Sequence, residues 1–211
     1  MDNRFTRRNA LVMFGMGVAG ITVGTSSPVQ AASTQWWTTT PQMDAMTAIR
    51  TRRSVRSFTG QPVSEKQILE LLGAAMAAPS AGNEQPWSFV VVRDSTTLEQ
   101  VSSINKSVGY AKKASLGILV CGDLTLDRHH GFWIQDVSAA TQNLLLAAHA
   151  LGLGAVWTGV YPSEERTDGF RKLFALPENI VPVAFVVVGH PLNTPAPQNR
   201  FRADRVHHER W

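Results

Sequence analysis

The segment from Phe132 to Leu151 constrains this chain more than any other. It reads FWIQDVSAATQNLLLAAHAL, twenty residues without a proline or a glycine. Ala and Leu are among the strongest helix formers, so the run predicts one long helix. Its hydrophobic residues fall on more than one side, and a helix that is apolar nearly all round has to be buried. One small sheet covers only one face of such a helix. The helix is therefore expected at the centre of the domain or in a subunit interface.

The remaining elements are arranged around it. Met43, Met46 and Ile49 repeat at helical spacing and predict a helix over 41–51, with Pro41 in its first turn. Ser64 followed by Gln67 is a capping-box signature for a second helix, with Ile68, Leu69, Leu71, Leu72, Ala75 and Met76 on its apolar side. A further helix is expected over 96–104 and another over 163–174. Short β-branched or apolar runs predict strands over 87–92 (buried), 117–121, 155–158 and 183–188, and 54–58 reads as a short extended segment. Gly152-x-Gly154 lacks the strand-first context of a dinucleotide fingerprint and reads as a helix-ending turn. Helices and short strands interleave, which predicts α+β or α/β architecture around one sheet. From Pro191 the periodicity disappears, and a tail this long is expected to wrap onto something, such as a partner chain.

The first 31 residues have the layout of a signal peptide: Arg4, Arg7 and Arg8, then an apolar stretch over 10–23, then Val29-Gln30-Ala31 before a cut. That stretch is shorter than the ~20 residues a membrane-spanning helix needs. The pair Arg7-Arg8 and a glycine-rich, moderately hydrophobic core fit a twin-arginine signal, with an ordinary secretory signal as the alternative. Removing residues 1–31 takes three arginines and Asp2, leaving 17 basic against 15 acidic residues. Residues 32–211 are then expected to form one domain, opened by a polar arm that carries Trp36 and Trp37. With 44% hydrophobic and 17% charged residues the chain is globular, which excludes a disordered, collagen-like or polytopic membrane protein. A formal charge of +4 spread along the chain gives no support for nucleic-acid binding. One cysteine, Cys121, excludes an intrachain disulfide, a Cys-x-x-Cys pair and an iron–sulfur cluster. Cys121 reads as a buried, inert thiol, and the pairs His129-His130 and His207-His208 read as surface or interface residues because no third ligand is spaced near either. Trp133 and His149 on the long helix read as core or interface packing, with a place in the lining of the pocket as the alternative.

Two constellations carry chemistry. In Arg52-Arg53-Ser54-Val55-Arg56 an extended backbone puts Arg52, Ser54 and Arg56 on one face. Two guanidinium groups around a hydroxyl suit a phosphate, although an isolated run of this kind is equally a solvated basic face. In Ala78–Trp87 two prolines fix a loop of small hydrogen-bonding residues, which suits the polar edge of a heterocycle or serves only as a connection.

Taken together in this order, RTRRSVRSF, APSAGNEQPWSFVVV, WIQDVSAATQNLLLAAHALGLGAVWTGVYP and NRFRADRVHHERW resemble the nitroreductase family of FMN-dependent oxidoreductases. The resemblance implies an α+β, three-layer fold with a central mixed β-sheet flanked by helices, in an intertwined homodimer with exchanged C-terminal tails. It implies that Arg52, Ser54, Arg56 and Arg200 hold the FMN phosphate and ribityl chain, with Arg53 contributing mostly backbone. It places Pro79, Ser80 and Asn83, together with Gln85, on the flavin of the other subunit, and Trp157, Thr158 and Gly159 against one flavin face. Gln198 stands where the family often has a lysine, so one phosphate charge is missing. No catalytic side chain is implied, because the flavin carries the redox chemistry.

The activity implied is ping-pong electron transfer from NAD(P)H or another redox partner to a small-molecule acceptor such as a nitroaromatic or quinone. A non-catalytic periplasmic flavin-binding or flavin-storage protein is the alternative. Passage through the export machinery implies a periplasmic or otherwise exported protein, where nicotinamide donors are scarce.

Overall fold

The computed structural model describes residues 43–211. The signal-peptide reading of residues 1–31, the arm with Trp36 and Trp37, and Pro41 lie outside the described residues. Helix α1 spans Ala45–Thr51 and starts later than the apolar spacing suggested, because Asp44 caps it by accepting the Thr47 N–H at 3.0 Å. Helix α2 spans Glu65–Met76, and its capping box forms as expected: Ser64 and Gln67 each hold the other's backbone N–H. Helices α3 (Ser95–Ile104), α4 (Trp133–Ala150) and α5 (Glu164–Leu173) follow, with strands β1 (Trp87–Val92), β2 (Leu116–Asp123), β3 (Gly154–Gly159) and β4 (Ile180–Gly189).

The strands form one sheet in the order β1-β2-β4-β3, with every strand pair antiparallel. The parallel component of a mixed sheet is confined to a single bridge, Ser54 to Ala155. Side chains alternate across the inner strands. Leu116, Ile118 and Val120 of β2, with Ala184, Val186 and Val188 of β4, share a core with Leu71 of α2 and Leu144 of α4. Leu119, Cys121, Phe185 and Val187 share the opposite core with Leu98 of α3 and Phe170 of α5. The result is three layers, helix on sheet on helix. Strand β1 is only half-buried, and Val91 is exposed, because β1 is an outer strand with one unpaired edge.

Helix α4 buries Val137, Ala140, Thr141, Leu144, Leu145 and Ala148 against the sheet and α2. Its other side, with Leu146, Ala147 and Ala150, floors an open apolar groove beside α1 and α2. There Ile49 is 55% exposed, and Met46 on the same helix is 52% exposed. The helix ends at Gly152, whose φ of +74° suits glycine, with the Leu153 N–H reaching back to the Ala148 carbonyl at 2.8 Å. The turn is therefore Gly152 alone; Gly154 already belongs to β3.

The tail departs from expectation in one respect. Its first part runs along its own chain: Pro191 bridges Phe58, and the Leu192 N–H donates to the Ser57 carbonyl at 2.9 Å. Lack of periodicity did not prevent this docking, because the extended segment at 54–58 presents free backbone groups. From Leu192 to Trp211 the residues are exposed.

Candidate functional site

The basic run begins where α1 stops. Arg52 is the C-cap, and its backbone turns the chain into the extended segment that follows. That segment lies along the outer edge of β3: the Val55 N–H donates to the Ala155 carbonyl at 3.0 Å. The approach is close because residue 154 is glycine; a Cβ there would sit 2.6 Å from a methyl of Val55. Val55 points into the core, so Ser54 and Arg56 point away from it. The edge strand thus brings the Arg52–Arg56 run to the start of β3, at Gly154 and Ala155, about 100 residues later in the chain.

Arg52 is half-buried, and among the described residues its guanidinium has neither a hydrogen-bond nor an ion-pair partner. Burial first, then the neighbouring charges of Arg200 and Arg53, push its pKa below the ordinary arginine value. His149, near the end of α4, joins the cluster. The Thr51 hydroxyl donates to the Thr47 carbonyl at 2.6 Å, so its only proton is used. It then accepts from His149 Nε2 at 2.8 Å, which puts the imidazole proton on Nε2. Burial, then Arg52, then Arg53 lower the His149 pKa. Three guanidinium groups and an imidazole therefore influence one another with no acidic side chain paired to any of them among the described residues. Cations in this position are stabilised by an anion, and the planar donors of Arg52 and Arg200 fit a phosphate.

The Arg53 side chain is engaged within its own chain. It donates to the carbonyls of Arg50, Arg52, Ala196 and Gln198. Arg200 in turn donates to Gln198 Oε1 at 3.4 Å.

Trp157 and Thr158 also separate. Neighbouring side chains in a strand face opposite ways. Trp157 packs toward α4, whereas Thr158 is buried on the other face, with its hydroxyl 3.3 Å from the Tyr110 hydroxyl. Thr158 can therefore meet a ligand on the Trp157 side only through its backbone. Gly159 faces open space: a Cβ built there meets nothing within 4 Å. Its carbonyl accepts from Arg166 at 3.0 Å.

The Pro79–Pro86 loop is held at the other end of α4. The Ala81 N–H donates to Asp136 Oδ1 at 3.1 Å. Within the loop the Ser80 hydroxyl accepts the Gln85 N–H at 3.0 Å. Asn83 and Gln85 adopt left-handed backbone, φ +56° and +52°, which is costly for a non-glycine residue and over-determined here by neighbours. One such neighbour is Glu84, whose buried carboxylate lies 2.5 Å from His129 Nδ1 and 3.5 Å from Arg128 Nε. Pro79, Asn83 and Gln85 remain exposed.

One chain therefore does not bring its two constellations together. Asp136 and His149 are thirteen residues apart on α4, or about 20 Å at the 1.5 Å helical rise. Tyr110, Asp136, Glu84 and Arg166 are not singled out by the sequence as site residues, and His149 reads there first as packing. Their partners lie between 7 and 98 residues away, and no local pattern announces such pairs.

Comparison with known proteins identifies the family. The model of the family described as "Nitroreductase family" matches residues 49–129 and 122–190. A protein of Methanothermobacter thermautotrophicus named NADH dehydrogenase/NAD(P)H nitroreductase is 46% identical over 170 residues, covering 81% of this chain and 89% of its own. The crystal structure of a protein of the same name from Parabacteroides distasonis superposes with a TM-score of 0.76 at 38% identity, covering 79% of this chain and 98% of that one. A nitroreductase from Desulfovibrio desulfuricans, solved in complex with FMN, has a TM-score of 0.70 at 33% identity and covers 79% and 96%. With a cationic cluster that no acidic side chain pairs among the described residues, and with these relatives, the chain belongs to the nitroreductase family and is an FMN-dependent oxidoreductase.

Proposed function

We propose that the chain acts as a homodimer with two flavin sites, each built from both subunits, and passes electrons in two half-reactions from NAD(P)H or another redox partner to a nitroaromatic, quinone or similar acceptor. The observation that carries this reading is the ~20 Å separation of the Ser80–Gln85 loop from the Arg52 cluster along α4. A two-fold axis through the middle of the open α4 groove would set two copies of the helix antiparallel. The loop at one subunit's Asp136 would then face the arginines at the other's His149. The half-exposed Met46 and Ile49 and the groove floor supply the apolar surface for that contact.

In this arrangement Arg52, Ser54, Arg56 and Arg200 hold the phosphate and ribityl end. Trp157 and the backbone of Thr158 and Gly159 lie along one face of the ring system, and Pro79, Ser80, Asn83 and Gln85 reach it from the partner. The bound flavin supplies the two-electron chemistry; the protein orients it and places N–H donors at its polar edge. The storage alternative is set aside, since the family assignment makes the chain an enzyme. We also propose that residues 1–31 are a twin-arginine signal and that the mature domain, residues 32–211, works outside the cytoplasm. Prior folding around FMN suits that route, and a quinol or redox protein is then the fitting donor.

The test mixes two inactive variants. Arg52→Ala and Asn83→Ala heterodimers regain one complete site, so flavin content and NAD(P)H-driven turnover recover to up to half of wild type per dimer. Heterodimers that recover neither would place both residues in the same subunit's site. A monomer by light scattering that still binds FMN would remove the shared site altogether.

A further inference from the structure

Arg52 and Arg53 are adjacent and of the same type, yet they are used in opposite ways. The Arg52 guanidinium has no hydrogen-bond or ion-pair partner among the described residues. Arg53 is saturated: Nε donates to the Ala196 carbonyl at 3.1 Å, Nη2 to the Gln198 carbonyl at 3.2 Å, and Nη1 to the carbonyls of Arg50 and Arg52 at 3.2 and 2.5 Å. Two of these acceptors belong to the end of α1, where carbonyls lack intrahelical partners. The other two belong to the tail.

The tail sequence explains why an arginine is needed. Residues 195–198 are Pro-Ala-Pro-Gln. Pro195 and Pro197 carry no N–H, so this stretch cannot join a sheet edge as an ordinary strand. A residue before proline is held extended, which keeps Ala196 extended and turns the carbonyls of residues 196 and 198 to one side. Such a segment offers four carbonyl acceptors against two backbone N–H donors. A guanidinium, with five donors in a fixed fork, can hold two of those carbonyls and the helix end together. Among the described residues, both hydrogen bonds that tie residues 193–211 to the rest of the chain come from Arg53. Two residues beyond the second of them stands Arg200, the tail's contribution to the cationic cluster.

We propose that Arg53 is the clasp that docks the tail and thereby sets Arg200 beside Arg52, so that it is a positioning residue for the phosphate site and acts through Arg200. This rests on the reading of Arg52 and Arg200 as phosphate ligands. Gln198 fits the same scheme. Where the family often has a lysine, its backbone carbonyl receives the clasp and its side chain steadies Arg200, so this chain exchanges one charge for orientation.

The test is a double-mutant cycle on the affinities of the full-length protein for FMN and for riboflavin, which lacks the phosphate. Arg53→Ala and Arg200→Ala should each weaken FMN roughly tenfold, the loss of about one charge-assisted hydrogen bond, and leave riboflavin unchanged. The double variant should bind FMN no more weakly than Arg200→Ala alone. Arg53→Lys, which keeps the charge and loses the fork, should resemble Arg53→Ala. Tail cleavage by trypsin after Arg200, Arg202 and Arg205 should accelerate several-fold in both Arg53 variants.

Additive losses in the cycle, wild-type FMN affinity in Arg53→Lys, or unchanged tail cleavage would each overturn the clasp. If Arg52→Ala and Arg200→Ala leave the FMN-to-riboflavin ratio unchanged, the phosphate reading is what has failed. Trypsin still reports on the clasp in that case.

Discussion

Replacing Arg52 with alanine should move the empty and the loaded protein in opposite directions. In the empty protein the Arg52 guanidinium has no partner among the described residues and is surrounded by the like charges of Arg53, Arg200 and His149 when protonated. Its removal therefore costs no hydrogen bond among the described residues and relieves repulsions of a few tenths to about 1 kcal/mol, the scale of solvent-screened charge pairs. Loss of its aliphatic stem offsets part of that gain. The melting temperature of the flavin-free protein should stay level or rise by about 2–4 °C, the shift that ~1 kcal/mol gives in a domain of this size. FMN affinity should fall instead, by the roughly 1.5–3 kcal/mol of a charge-assisted hydrogen bond, about ten- to a hundredfold. Riboflavin affinity should not change.

The assay pairs a thermal melt of the flavin-free protein with fluorescence titrations of both flavins. A flavin-free variant destabilised by more than about 1 kcal/mol, with FMN and riboflavin weakened equally, would refute the reasoning and make Arg52 a packing residue.

Three further outcomes follow from other parts of the molecule. His149 has a folded-state pKa below its unfolded value of about 6.5, so the unfolded chain binds the extra proton. The flavin-free protein should lose stability as pH falls through that value, the loss should level off below the folded-state pKa, and His149→Gln should flatten that part of the pH profile; an unchanged profile would show that His149 does not titrate in this window. Burial pushes the Cys121 thiol up to about 12, so a thiol reagent should leave the native protein unmodified at pH 8 and label it in denaturant; rapid labelling of the native state would contradict the buried strand position. Arg7→Lys with Arg8→Lys should retain the precursor in the cytoplasm, and normal export of that double variant would rule out the twin-arginine route.

The parts of the fold readable in the sequence were those set by local chemistry. The capping box at Ser64 and Gln67 involves residues three apart, and the long helix is specified by twenty consecutive residues. The strands appeared as β-branched runs, although the half-burial of β1 depends on its place at the edge of the sheet. The basic run at 52–56 and the polar loop at 78–87 stood out because each is a short contiguous segment with a distinctive set of residue types. Arg53 shows the limit. From the sequence it is the second of two equivalent arginines, and only the return of residues 196 and 198 to the end of α1 separates its work from that of Arg52.

The sequence by itself therefore determined which helices and strands form, that α4 carries a buried apolar side, and where the basic run and the proline-bounded polar loop lie. Those properties follow from propensity, periodicity and capping, which act over a few residues. Tertiary structure decided that β4 enters between β2 and β3, that β3's free edge receives the Arg52–Arg56 run, and that His149 joins the arginines through Thr51. It also decided that Thr158 turns away from Trp157's face, and that the loop and the cationic cluster occupy opposite ends of one helix. These depend on pairings between residues tens of positions apart. Such pairings are set by the global packing of the sheet and its two helical layers, and no local stretch of the chain encodes them.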